Sequence, residues 1–169
     1  MKLYIFDIDD TVAARYTTDI LPGVREWFAK VDWASTRIAF ATNQGGVGLR
    51  YWMESQGFGD PSQYPTESDV INRLSAIEQE LVPPTHELQS EIYAAFAYQS
   101  KAGNWSPAPD NRPCWSQAWR KPNPGMLLQA MADAGVSAAD AVFVGNGDED
   151  RQAAQAAGIE FVEAKEFLG

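Results

Sequence analysis

Short β-rich apolar runs alternate with amphipathic runs along the chain, and this alternation restricts the possible fold more than any other feature. Leu3 to Asp7 reads as a strand and Pro22 to Val31 as a helix, with Pro22 at the start, where a missing N–H is harmless. Arg37 to Thr42 is mostly apolar, the pattern of a strand covered on both faces, and Gly45 to Gly57 reads as a loop running into a helix. Thr66 followed by Glu67 and Asp69 predicts an N-cap for a helix through Leu81, on which Val70, Leu74, Ile77 and Leu81 form one apolar stripe. Ile92 to Tyr98 is short and apolar, ambiguous between strand and helix, and strand is the preferred reading. A helix from Asn123 or Pro124 to Ala134 ends at Gly135, and a strand covers Ala141 to Val144. A helix from Glu149 to Ala157 ends at Gly158, and Ile159 to Val162 is the last strand. Repeated β-α units of this kind predict the α/β class, with a mostly parallel sheet and right-handed crossovers.

At 169 residues the chain is expected to form one domain over 1–169, burying roughly two-thirds of its unfolded surface. The one compositional break is QSKAGNWSPAPDNRPCWSQAWRKPNPG, rich in Pro, Gly, Asn and Ser and without period, which predicts an irregular ordered insertion at about 99–120. A single cysteine, Cys114, and a single histidine, His86, exclude an intramolecular disulfide and a Cys/His zinc site, so any metal must be held by oxygen. Cys114 reads as an inert thiol, His86 as a surface residue, and Trp105, Trp115 and Trp119 as packing. The N-terminus shows no signal-peptide pattern and no run long enough to span a bilayer, which sets the expectation of a cytoplasmic protein without a membrane partner. A net charge of −10 disfavours general affinity for nucleic acid unless a local basic patch overrides it.

In parallel sheets ligands bind where strands end at their carboxyl side, and four such ends here carry polar groups. They are Asp7-Ile8-Asp9-Asp10-Thr11, Thr42-Asn43-Gln44-Gly45-Gly46, Arg120-Lys121-Pro122 and Gly145-Asn146-Gly147-Asp148-Glu149-Asp150. Asp7 and Asp9, two apart, repel one another unless a cation lies between them, and carboxylates without Cys or His suit Mg²⁺. Such a cation lets an aspartate approach an anionic phosphate, with Asp7 as nucleophile and Asp9 as acid and base. Thr42 and Lys121 supply a hydroxyl and a fixed cation to the phosphate, main-chain N–H groups near Asn43 and Gly45 add donors, and Asn146, Asp148 and Asp150 are left to complete the metal site. Glu149 reads only as a favourable charge at a helix N-terminus.

These four motifs, in this order, resemble those of the haloacid dehalogenase superfamily of aspartate-nucleophile phosphohydrolases. The resemblance implies a Rossmann-like three-layer core with little or no cap, a covalent aspartyl-phosphate on Asp7, Asp9 as general acid and then base, Thr42 and Lys121 on the phosphate, and Mg²⁺ held by Asp7, Asp9, Asn146 and Asp150. ATNQGGVG with RKPNPGM resembles the branch of the heptose-bisphosphate and histidinol-phosphate phosphatases and of the 3′-phosphatase domain of polynucleotide kinase-phosphatase. There Arg120, like Asn43, falls at a substrate-binding position. Two departures stand out. The Cys/His zinc loop of the sugar-phosphate members is absent, and Asn146 stands where the fourth motif usually has Asp. The expected function is a Mg²⁺-dependent phosphatase acting on a small phosphorylated metabolite, a sugar phosphate or nucleotide. The alternatives are a polynucleotide 3′-phosphatase, needing a basic groove of Lys101, Arg112 and Arg120, and a weakly active or non-catalytic homologue, motivated by Asn146.

Overall fold

Five strands, β1 (Lys2–Phe6), β2 (Thr36–Asn43), β3 (Ser90–Ala95), β4 (Ala141–Gly145) and β5 (Glu160–Glu163), form one sheet in the computed structural model, which describes residues 1–169. The order is β3-β2-β1-β4-β5 and every neighbouring pair is parallel. The chain builds outward from β1 through β2 to β3, then returns to place β4 and β5 on the other side of β1. The order therefore reverses beside the C-terminal end of β1, the position where such sheets open a ligand crevice.

Side-chain alternation divides the interior in two. Phe6, Ile38, Phe40, Val142 and Val144 face one way and pack against Val24 and Phe28 of α1 (Val24–Phe28), Val47 of α2 (Gly45–Gln56) and the Val70, Leu74, Ile77, Leu81 stripe of α3 (Glu67–Leu81). α6 (Ala164–Leu168) closes the same face through Ala164 and Phe167. Leu3, Ile5, Ala39, Ala41 and Phe143 face the other way, against Met126, Leu127, Ala130 and Met131 of α4 (Gly125–Ala134) and Ala153 and Ala154 of α5 (Asp148–Ala157). The result is a three-layer α/β sandwich, as expected from the β-α alternation. No helix is long and apolar enough to cross a membrane.

α3 has the predicted cap: the Thr66 hydroxyl accepts from the Asp69 N–H at 3.1 Å while the Asp69 carboxylate accepts from the Thr66 N–H at 3.0 Å. Several expectations need correction. The helix expected from Pro22 to Val31 is only the five residues of α1, because Gly23, with φ of 87°, caps it and leaves Pro22 outside. Gly45 to Gly57 is helical from Gly45, with no leading loop. α6 was not expected, and His86 is half-buried, stacked on Trp33 at 5.1 Å. The strand within Ile92–Tyr98 exists but runs from Ser90 to Ala95.

The early start of α2 has a packing cause. A Cβ on Gly48 would lie 2.2 Å from the Phe96 carbonyl oxygen and 2.8 Å from the Tyr98 nitrogen, so the helix reaches this depth only with glycine. Gly48→Ala is expected to lower stability by about 1–3 kcal/mol by overpacking. Chemical denaturation of the two proteins measures it.

Between β3 and α4 the irregular segment carries two single 3₁₀ turns, Pro113–Trp115 and Gln117–Trp119. It is pinned rather than free. The Phe96 N–H donates to the Cys114 carbonyl at 2.7 Å, and buried Trp115 meets Phe96 and Tyr51 edge-on at 5.5 and 5.7 Å. Burial pushes the Cys114 thiol above its ordinary pKa, which keeps it protonated and unreactive.

Candidate active site

An open cleft of about 1320 Å³ lies at the C-terminal ends of β1, β2 and β4, and all four sequence motifs reach its wall: Asp7 and Asp9, Thr42 and Asn43, Arg120 and Lys121, and Asn146 and Asp150.

Asp7 directly follows β1 and is buried, with its N–H donating to the Val144 carbonyl of β4 at 2.9 Å. The Lys121 ammonium is buried beneath it. It donates to Asp7 Oδ1 at 2.9 Å, to Asp150 Oδ1 at 2.6 Å and to the Ala41 carbonyl at 2.9 Å, so all three of its hydrogens are used. Burial works to lower the Lys121 pKa, but the two carboxylates outweigh it and hold the ammonium above its ordinary value. At Asp7 burial wins, pushing the carboxyl up to about 6, with Lys121 pulling it down and the Asp150 charge adding to the rise. A desolvated carboxylate beside a like charge is the arrangement a bound cation relieves.

Asp150 is at the start of α5, against the end of β4. Its Oδ2 accepts from the Asn146 and Gly147 N–H groups at 3.2 and 3.4 Å. Gly145 permits this approach, since a Cβ there would lie 2.6 Å from the same oxygen. Asn43 is engaged in a way its expected substrate role did not foresee. Its carboxamide donates to the Lys121 carbonyl and accepts from the Lys121 N–H, both at 2.9 Å, and so holds the lysine's main chain in place. Arg120 donates to the Ala97 carbonyl at 3.0 Å and lies over the Tyr98 ring, with no carboxylate partner. Burial depresses its pKa, partly offset by Glu149. Gly45 makes room for it, because a Cβ there would come within 2.5 Å of Arg120 Nη1.

Two residues outside the sequence-derived set belong to the site. Gln44 donates to Thr42 Oγ1 at 2.9 Å and to Asp9 Oδ2 at 3.0 Å, and Arg73 of α3 donates to Asp9 Oδ1 at 2.5 Å. Gln44 sat inside a quoted motif but carried no role. Arg73 carried no signal, being one polar residue beside an apolar helical stripe.

The four residues expected to hold a metal divide in the structure. No three Asp, Glu, His or Cys side chains gather as a ready cation site. Asp9 gives its carboxylate to Arg73 and Gln44, and Asp150 gives its own to Lys121 and two N–H groups. What remains is Asp7 Oδ2, touched only by the Thr11 hydroxyl at 3.4 Å, together with the Asp9 carbonyl and the Asn146 carboxamide, neither of which has a partner. This donor set is all oxygen with one formal charge, and it fits a hard divalent cation that keeps several waters.

Residues 118–164 match the model of the HAD-hydrolase-like family. No curated protein matches the chain in sequence. Among solved structures, D,D-heptose 1,7-bisphosphate phosphatase from B. bronchiseptica, complexed with magnesium and phosphate, superposes with a TM-score of 0.65 at 22% identity, over 95% of this chain and 79% of that one. A candidate HAD-like phosphatase from Mesorhizobium loti gives 0.63 at 22% identity, over 94% and 69%. A HAD-superfamily hydrolase of subfamily IA from Geobacter sulfurreducens PCA gives 0.52 at 16%, over 96% and 89%. The fold is that of the haloacid dehalogenase superfamily, and the segment carrying Lys121, Asn146 and Asp150 matches its hydrolase-like family model.

Proposed function

We propose that the protein is a phosphomonoester hydrolase that uses Asp7 as its nucleophile, depends on Mg²⁺ and acts on a small phosphorylated metabolite. The observation carrying this reading is the buried Asp7–Lys121–Asp150 group at the bottom of an open cleft, where one desolvated carboxylate oxygen is left almost unpartnered. One oxygen of the Asp7 carboxylate attacks phosphorus, the bond to the leaving oxygen breaks, and that oxygen takes a proton from protonated Asp9. Water then attacks the aspartyl-phosphate, Asp9 takes the water's proton, and phosphate leaves with Asp7 restored. The Thr42 hydroxyl, whose hydrogen has no acceptor within the protein, meets a nonbridging oxygen, while Lys121, its three hydrogens already given to Asp7, Asp150 and the Ala41 carbonyl, holds the nucleophile from beneath and adds positive charge rather than touching the phosphate as the sequence suggested. Asp7, Asn146 and the Asp9 carbonyl would hold the Mg²⁺, which supplies charge neutralisation between carboxylate and phosphate.

The wall of the cleft favours a small substrate over an oligonucleotide. Acidic residues outnumber basic ones along it, and no tryptophan lines it. Arg112, needed for a basic groove, is held by Glu67 at 2.9 Å and Asp110 at 3.0 Å. The test is hydrolysis of an aryl phosphate with Mg²⁺ and with a chelator, followed by a panel of sugar phosphates, nucleotides and a 3′-phosphorylated oligonucleotide. No Mg²⁺-dependent phosphate release from any of them rejects the proposal.

Asn146 sits exposed at the cleft wall with a free carboxamide, so Asn146→Asp is expected to add a charged ligand and lower the Mg²⁺ concentration for half-maximal rate about tenfold. A Mg²⁺ titration of the rate reads this, and an unchanged midpoint removes position 146 from the metal site.

A further inference from the structure

The Asp9 carboxylate is gripped on both oxygens from two separate elements. Gln44, at the end of β2, takes Oδ2, and Arg73 of α3 takes Oδ1, in a pair whose side chains are each only 14% exposed. Arg73 also donates through Nε to the Thr17 carbonyl at 2.7 Å, fastening the loop that follows Asp9 to the same guanidinium. The platform under it is rigid, because α3 is capped at Thr66 and the neighbouring Val70 and Leu74 are buried in the core. A carboxylate has about four lone-pair sites, and the two donors occupy two of them. Room is left for the proton that Asp9 delivers and recovers.

We propose that Arg73 is a positioning residue, which with Gln44 fixes the Asp9 carboxyl group in the orientation from which its protonated form gives a proton to the leaving oxygen, a proton regained from the attacking water in the second step. This rests on the phosphatase reading above. A misplacement of about 1 Å in a reacting group costs on the order of 10²-fold, so the alignment is worth about as much as the proton transfer itself. In the first step the Asp7–phosphorus bond forms, the bond from phosphorus to the leaving oxygen breaks, and the proton passes from Asp9 to that oxygen. A 4-nitrophenolate leaves without help, whereas an alkoxide does not.

The experiment compares kcat/KM, which reports only the steps through leaving-group departure, for an alkyl phosphate and for 4-nitrophenyl phosphate. Arg73→Gln is expected to lower kcat/KM on the alkyl ester about 100-fold and on the aryl ester less than about threefold. In an Asp9→Asn background it should add no further selectivity. Arg73→Lys keeps the charge but loses the planar fork, and serves where the glutamine variant does not fold; it should show the same selective loss at smaller size. Equal losses on both esters, or selectivity that persists without the Asp9 carboxylate, overturn the inference and leave the phosphatase reading standing. Wild-type protein that hydrolyses neither ester removes the phosphatase reading and this inference with it.

Discussion

Asp7→Asn is expected to reduce Mg²⁺-dependent hydrolysis of an aryl phosphate by on the order of 10⁴- to 10⁶-fold, the scale on which loss of a covalent nucleophile is felt. The substitution keeps the shape of the side chain and removes a carboxylate whose charged form burial already disfavours, so the fold should persist with unchanged or slightly raised thermal stability. Lys121 keeps Asp150 as its ionic partner. The direct check is chemical. Wild-type protein quenched during turnover should carry one phosphoryl group on the peptide that contains Asp7, and the variant none. Activity within tenfold of wild type, or a label on another carboxylate, would move the nucleophile elsewhere.

Lys121→Met should have the largest effect on stability. Its ammonium is the one cation bonded to Asp7 and Asp150, and without it two buried carboxylates face each other unpaired. Breaking a buried ion pair from one side costs about 3–5 kcal/mol. The loss should shrink as the pH falls and Asp7, whose carboxyl burial already pushes up, takes up a proton. It should also shrink on adding Asp150→Asn, which removes one of the stranded charges. Thermal melts of the single and double variants across pH read both effects. A single variant as stable as wild type at neutral pH would show that the ammonium does not hold the carboxylates together.

The sheet was legible because its buried strands are short, uninterrupted apolar runs, and α3 because its cap and stripe agree with each other. α2 was partly hidden by its glycines, which argue for a loop; the close passage of Gly48 under the Phe96 carbonyl is a tertiary contact that leaves no local mark. α1 was overread because Pro22 looked like a helix start, when Gly23 next to it held the cap. Asp7, Lys121 and Asp150 could be found because each follows or precedes a recognisable element at the same end of the sheet. The division of labour among them could not be read. That the Asp9 carboxylate is engaged depends on Arg73, distant in sequence and drawn from a helix chosen for its apolar face.

Lys121, just before α4, and Asp150 of α5 are presented to Asp7 beside a layer in which Ala39, Ala41, Ala95, Ala130, Ala141, Ala153 and Ala154 sit among larger side chains such as Leu3, Ile5, Met126 and Phe143. At the alanine positions a substitution other than glycine can only enlarge the side chain. Each added methyl group there would push a helix outward and carry with it one end of the ionic cluster, far from any substrate. Tolerance to substitution should consequently be lopsided, with the large core positions accepting exchanges of similar bulk and the alanine positions governed by the reach of a lysine.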